Sequence, residues 1–457
     1  MSLLYRASAK LGLPSVADEL QTVSNVLTET REVLLANFGH LNLAAVDPVA
    51  VFFFLTTRKT TRGTHVLPGG FDLEGDVQLC SDLLKYAKLA DVAYADQESM
   101  KKLLETSGWN LQTGTSDAAP RRPAHFLAMQ EGKVVLAIRG TQTLADCLTD
   151  ALCDGQPFET GLAHRGVTAS AEWLCAEYGP ALKFLESKGF DVVMVGHSLG
   201  AAVAAACTVK LRGSYNLERC RCVCFAPPAT LDQELAKSSA GYICSVVHDD
   251  DFIPRSQVRS LLQLYVDIMS FDWRPEADRL LASLKQSPGE GWIFDCAEKT
   301  VRNFLQLLEM QLQSRWSNAQ SGRQDDLRAA QAATHRLLRE VTPLCIPGFV
   351  VHIYRVGGDE YRASKVEATD LSKIEVSSTM VTDHFLDGYI KSLESLLVGA
   401  EATHQEVVGK LASILPRDFL ETSQGQEALT QVGEVAKTSR ELIFRARSKL
   451  QKRPDTS

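Results

Sequence analysis

Ser198 stands in Gly196-His197-Ser198-Leu199-Gly200, which follows the apolar run Val192-Val193-Met194-Val195 and gives way to an alanine-rich, helix-forming run through Ala206. A G-x-S-x-G pentapeptide alone is a weak signal, but a strand before it and a helix after it make a nucleophile elbow that exposes its serine. Such a sharp turn brings the positions two before and two after the serine together, which is a steric reason for Gly196 and Gly200. At a helix start, Ser198 also lies near backbone N–H groups and the positive end of the helix dipole. An ordinary glycine-rich strand-to-helix turn is the plain structural alternative.

A serine hydroxyl is a poor nucleophile at neutral pH and needs a base within hydrogen-bond reach, itself held by a third group. Asp251, in Asp251-Phe252-Ile253-Pro254-Arg255, follows an expected strand and precedes a proline that would end it; Asp249 and Asp250 compete for the role. His384, in Val381-Thr382-Asp383-His384-Phe385, lies downstream of the expected strand Phe349 to Arg355 and just before a helical stretch, so it is the favoured base. His352 alternates within that strand and reads as packed. His197 would flank the serine rather than face it, and His248 and His164 are lesser candidates.

These residues need a scaffold that brings distant segments together. From about Phe126, short apolar runs alternate with helical segments, the pattern of a mostly parallel sheet flanked by helices. The runs Val134 to Ile138, Val192 to Val195, Cys220 to Phe225 and Tyr242 to Val247 close on Arg139-Gly140-Thr141, the serine pentapeptide, Ala226-Pro227-Pro228 and three aspartates in turn, at the strand ends where open α/β sheets bind ligands. The expected catalytic domain is 76–395. Before it, residues 1–75 form a helical extension, with Leu11, Val16, Leu20, Val23 and Leu27 at helical spacing, and a loop. Leu84 to Ala95 also reads as helix.

Arg274 to Pro343 reads as an inserted helical region, with Val301, Leu305, Leu308 and Leu312 as its apolar stripe and Trp273 and Trp316 as candidates for a lipid-water boundary. It is expected to pack beside the mouth of the Ser198 site. Residues 396–457 are expected to be helical and end in a basic run. The segment Thr143 to Gln156 spaces Leu144, Leu148 and Leu152 as a lid helix or a core-facing helix would.

With 457 residues, 45% hydrophobic and 23% charged, the chain can bury a sizeable core, and its formal net charge of -8 argues against a nucleic-acid binder. The eleven cysteines are scattered through apolar stretches, the usage of reduced, buried thiols in an intracellular protein. No signal peptide or spanning helix is expected, so the expected location is cytoplasmic, with any contact to a membrane or lipid droplet peripheral.

Four blocks together give the sequence a family resemblance: Arg139-Gly140-Thr141 with Asp146, Gly196-His197-Ser198-Leu199-Gly200-Ala201-Ala202, Asp251-Phe252-Ile253-Pro254-Arg255, and Asp383-His384. In this order they resemble the class 3 lipases, the fungal-lipase type of α/β hydrolase, and within that family the diacylglycerol lipases. Supporting text is Ala163-His164-Arg165-Gly166, Phe225-Ala226-Pro227-Pro228 and the long stretch between acid and base. The resemblance implies an α/β-hydrolase fold, a triad of Ser198, Asp251 and His384, and an oxyanion held by groups at Thr141 and Leu199. The membrane spans typical of animal diacylglycerol lipases are not found here.

The expected chemistry is acyl transfer through Ser198 on acylglycerol esters, diacylglycerol foremost. A phospholipase A1, galactolipase or short-chain esterase would use the same triad, and a catalytically silent scaffold is the rival of another class. No cofactor is required; acidic patches leave calcium open, but no segment has calcium-loop spacing. The oligomeric state is not legible.

Overall fold

The computed structural model describes residues 76–141, 155–286, 323–340, 343–357, 360–375 and 379–398, with isolated positions at 50, 53, 54, 71, 72, 310, 313 and 377. Its centre is a nine-stranded sheet. In chain order the strands are β1 (Phe71–Asp72), β2 (Asn110–Thr115), β3 (His125–Gln130), β4 (Lys133–Ile138), β7 (Asp191–His197), β8 (Arg221–Phe225), β9 (Ile243–His248), β10 (Phe349–Gly357) and β11 (Glu360–Val366). The strands β5 (Gly155–Phe158) and β6 (Gly161–His164) form a separate hairpin. Across the sheet the order is β1-β11-β10-β9-β8-β7-β4-β3-β2. The consecutive pairs from β4 through β7, β8 and β9 to β10 are parallel, and the strands outside them are antiparallel. This is an α/β-hydrolase architecture: a mostly parallel sheet with helices on both faces.

The parallel strands are apolar on both faces because both faces are covered. Against one face lie α1 (Val77–Val92), α2 (Gln97–Thr106) and a helix over residues 386–398, here α9, which together contribute Leu83, Met100, Leu104, Tyr389 and Leu393 to one core. Against the other face lies α4 (Leu199–Gly213), backed by α3 (Arg165–Ser187). The alanines 201, 202, 204, 205 and 206 of α4 are fully buried, and side chains this small let the helix approach both the sheet and α3. A short helix, α5 (Gln233–Ser238), follows β8.

Helices reach further around the acid loop than expected. They begin with α6 (Val258–Ser270), before Arg274, and continue as α7 (Arg274–Gln286) and α8 (Arg323–Glu340). The periodic signal of α6 is Val258, Leu261, Leu262, Tyr265, Ile268 and Met269, which are its buried positions, and Gln257 and Ser260 close its first turn as a capping box. Trp273 corrects an expectation: it is 1% exposed, stacked 6.0 Å from Phe53, and packs the interior rather than meeting a lipid boundary. Nor is the stretch before residue 76 wholly an extension, since Phe71 and Asp72 pair with Lys365 and Ser364 at the edge of the sheet. The stripe from Val301 to Leu312, Trp316, the leader helix and the basic tail lie outside the described residues. So does the lid segment, except that Gly155 and Gln156 form strand rather than helix.

Candidate active site

The elbow forms where β7 turns into α4. Ser198 has φ 57° and ψ −131°, a conformation costly for a side-chain-bearing residue and held here by its N–H bond to the Phe225 carbonyl at 2.9 Å. Both flanking glycines are sterically required. A Cβ on Gly196 would lie 2.4 Å from the Gly200 backbone, and one on Gly200 would lie 2.2 Å from the Ile138 carbonyl. Gly140, after β4, comes so close that a Cβ there would sit 3.1 Å from Ser198 Cβ, which puts Thr141 one residue from the serine's surroundings. Leu199 is the first residue of α4, where the backbone N–H has no intrahelical acceptor.

The other two residues arrive from distant strand ends. His384 Nε2 lies 3.1 Å from Ser198 Oγ, and His384 Nδ1 lies 3.0 and 3.1 Å from the two carboxylate oxygens of Asp251. Asp251 is fully buried and His384 is 4% exposed. This geometry fixes the proton positions: Nδ1–H donates to the carboxylate, and Nε2 accepts from the hydroxyl. Burial pushes the Asp251 carboxyl up, yet the adjoining His384 and bonds from His384, Tyr389 and the Ile253 N–H hold it below the ordinary range. Neither competing aspartate bonds His384. Asp249 Oδ1 accepts from the Arg355 N–H at 2.7 Å, and the Asp250 N–H reaches Asp383 Oδ2 at 3.3 Å.

Two tyrosines complete the arrangement and were not singled out from the sequence. Tyr389, on α9, accepts from the His248 N–H at 3.1 Å and donates to Asp251 Oδ2 at 2.6 Å. Tyr94, just beyond α1, accepts from the Gly140 N–H at 3.2 Å, so its own proton goes to His197 Nδ1 at 2.9 Å. His197 Nε2–H then donates to the His384 carbonyl at 2.8 Å. His197 therefore sits behind the base as a strut on its main chain. Burial, with His384 beside it, pushes His197 down to about 3, so the ring is neutral and fit for this two-sided role.

The other histidines serve elsewhere. His352 Nε2 bonds the Asp249 carbonyl at 2.9 Å, and His164 caps α3 by accepting from the Gly166 N–H at 3.1 Å. His248 Nδ1 donates to the Asp383 carbonyl at 3.2 Å. The Asp383 carboxyl is pushed up to about 7 by burial and by Asp249. In the insertion, α8 packs on α6. A cavity of about 260 Å³ lined by Phe54, Gln263, Asp267, Leu338 and Ile374 among others includes no residue of the Ser198 site in its lining.

A hydrogen-bonded Ser-His-Asp chain at the carboxyl edge of a mostly parallel sheet is the arrangement that activates a serine for acyl transfer. Residues 135–260 match the lipase (class 3) family, so the resemblance to class 3 lipases holds across the elbow and the acid loop. The chain is 27% identical to diacylglycerol lipase-beta of Mus musculus, over 59% of this chain and 43% of that protein. It is 28% identical to the secreted mono- and diacylglycerol lipase A of Penicillium cyclopium, over 36% of this chain and 56% of that one. The chain thus spans about half the length of these curated relatives. Among solved structures, the lipase of Rhizopus microsporus var. chinensis is similar with a TM-score of 0.35 at 16% identity, over 42% of this chain and 76% of that one. Among the described residues, no helix is long and apolar enough to cross a membrane.

Proposed function

We propose that this chain hydrolyses carboxylic esters of acylglycerols, diacylglycerol foremost, through an acyl-enzyme on Ser198. The observation that carries the reading is the hydrogen-bonded chain from Ser198 Oγ through His384 to Asp251. The relatives named as diacylglycerol lipases supply the substrate class.

Ser198 Oγ attacks the ester carbonyl carbon while His384 Nε2 takes its proton. Asp251 stabilises the imidazolium, and Tyr389 keeps the carboxylate aimed at Nδ1. The oxyanion meets the Leu199 N–H and a donor at Thr141; removal of one such donor typically costs about 10²–10³ in kcat. Collapse expels the glyceride alcohol, protonated by His384, and leaves the acyl chain on Ser198. Water, deprotonated by the same nitrogen, then releases the fatty acid and restores the serine. No step in this sequence needs a cofactor.

Ser198 is 1% exposed, so Oγ is reached from within the fold rather than from the open surface. Surface contact with a membrane or lipid droplet would then deliver the substrate peripherally. The triad sits within the proposed catalytic unit 76–395, to which Phe71 and Asp72 add an edge strand.

Ser198→Ala should abolish ester hydrolysis and fluorophosphonate labelling while leaving the thermal midpoint close to wild type. A panel of diacylglycerol, triacylglycerol, phospholipid and p-nitrophenyl esters should rank diacylglycerol first. Labelling that persists in the variant would remove Ser198 from the mechanism, and a phospholipid preference would change the substrate.

A further inference from the structure

Behind the triad, His248, Asp249 and Asp383 direct one ligand-type atom each into a common space, all within 4.8 Å of one another. His248 is 2% exposed, and its Nδ1–H is committed to the Asp383 carbonyl at 3.2 Å. The lone pair of a neutral ring is therefore on Nε2. That atom is buried and has no hydrogen-bond partner; Asp249 Oδ2 lies 3.6 Å away. A buried acceptor facing carboxylates is an expensive arrangement unless a cation or proton enters between them. Burial outweighs Asp249 and opposes a proton on His248, so the proton of the cluster belongs to Asp383, whose carboxyl is pushed up to about 7, and an entering cation would displace it.

We propose that His248 Nε2 and carboxylate oxygens of Asp249 and Asp383 form a binding site for a divalent cation of the zinc type, with water as the remaining ligand. One imidazole and two carboxylates suit a borderline cation better than calcium, which takes oxygen ligands. Zinc bonds of about 2.0–2.2 Å place tetrahedral ligands roughly 3.3–3.6 Å apart, so the observed 3.6 Å between Nε2 and Oδ2 already fits. The carbonyl acceptor on Nδ1 is the outer contact that usually orients a metal-binding histidine. A bound cation would also return the Asp383 carboxyl, pushed up to about 7, to its charged form. The opposing charge is Arg355, whose Nε lies 3.7 Å from Asp249 Oδ2 while its guanidinium bonds the Tyr361 hydroxyl. Arg255 donates to the Asp249 carbonyl and leaves the carboxylate to the site.

Asp249 precedes Asp251 by two residues and Asp383 immediately precedes His384, so one ion would tie the acid's loop to the base's loop.

The test uses the full chain after chelator treatment, titrated with Zn²⁺ by calorimetry and with Co²⁺ by visible absorption. One equivalent should bind, raise the thermal midpoint and give a cobalt band characteristic of mixed nitrogen and oxygen ligation. Asp383→Asn and His248→Gln should each weaken binding at least tenfold and remove the thermal shift, whereas Ser198→Ala should bind as wild type does. Asp249→Asn provides a second near-isosteric variant should one of the others fold poorly. Absence of saturable binding, Ca²⁺ binding in place of Zn²⁺, or affinity unchanged by all of these cluster substitutions would overturn the site. Because the readout is ion binding, it stands apart from whether the chain cleaves acylglycerols.

Discussion

Asp251 receives bonds from three groups, His384, Tyr389 and the Ile253 N–H, while the Asp249 carboxylate accepts from the Arg355 N–H and Asp250 meets Asp383 through its backbone. Asp251→Asn should therefore cost on the order of 10⁴ in kcat, because an amide offers the imidazole the wrong tautomer partner. Asp250→Asn should cost less than about tenfold. Tyr389→Phe removes one bond to the carboxylate and should lower kcat several-fold with little change in KM. Steady-state kinetics on a soluble ester measures all three, and comparable losses in the Asp250 and Asp251 variants would reassign the acid. Much of this site is legible from sequence because Ser198 announces itself locally. The base and acid are legible only through chain order and the motifs around them. Tyr389 and Tyr94 leave no local mark: their partners Asp251 and His197 lie 138 and 103 positions away.

At the scale of elements, Trp273 shows why periodicity does not reveal exposure. An aromatic between two helices can meet lipid or a neighbour, and here Phe53 closes over it with the rings 7° from parallel. Trp273→Ala should destabilise the fold by about 3–5 kcal/mol in denaturant unfolding, without a selective loss on aggregated lipid. A lipid-specific defect at unchanged stability would restore the boundary role. For the insertion as a whole, replacing residues 274–343 with a Gly/Ser linker should change activity on aggregated long-chain lipid more than on a soluble ester. Equal effects would make the segment a support for the fold. The alternation of strands and helices announces the parallel centre. The antiparallel flanks announce themselves less: β2 is polar and has no buried residue, and β11, though four of its seven residues are buried, carries Glu, Arg, Ser and Lys among them and no long apolar run.

Across the whole molecule, the buried neutral His197 makes acid stability a measurable consequence of the site. Its affinity falls from an ordinary 6.5 to about 3, so between those values the unfolded chain binds a proton that the folded chain refuses. Stability from this group is fully present above pH 6.5 and declines as pH falls toward about 3, by roughly 4–5 kcal/mol in total. His197→Gln should flatten that limb, read as the difference in urea midpoint between pH 7 and pH 4.5. Parallel pH profiles for variant and wild type would show that another group governs the acid transition.

The spread of the triad along the chain also sets a clock during synthesis. Ser198 and His384 are 186 positions apart, and β10 must enter the sheet beside β9 before the base can be delivered. A ribosome adding about 5–20 residues per second takes roughly 10–40 s to travel between them. For that interval the nascent chain carries its nucleophile without a partner to activate it. Hydrolytic competence would therefore be acquired late, after the acid loop, the intervening helices and β10 have all been made, and a chain truncated anywhere before residue 384 would leave an inert serine.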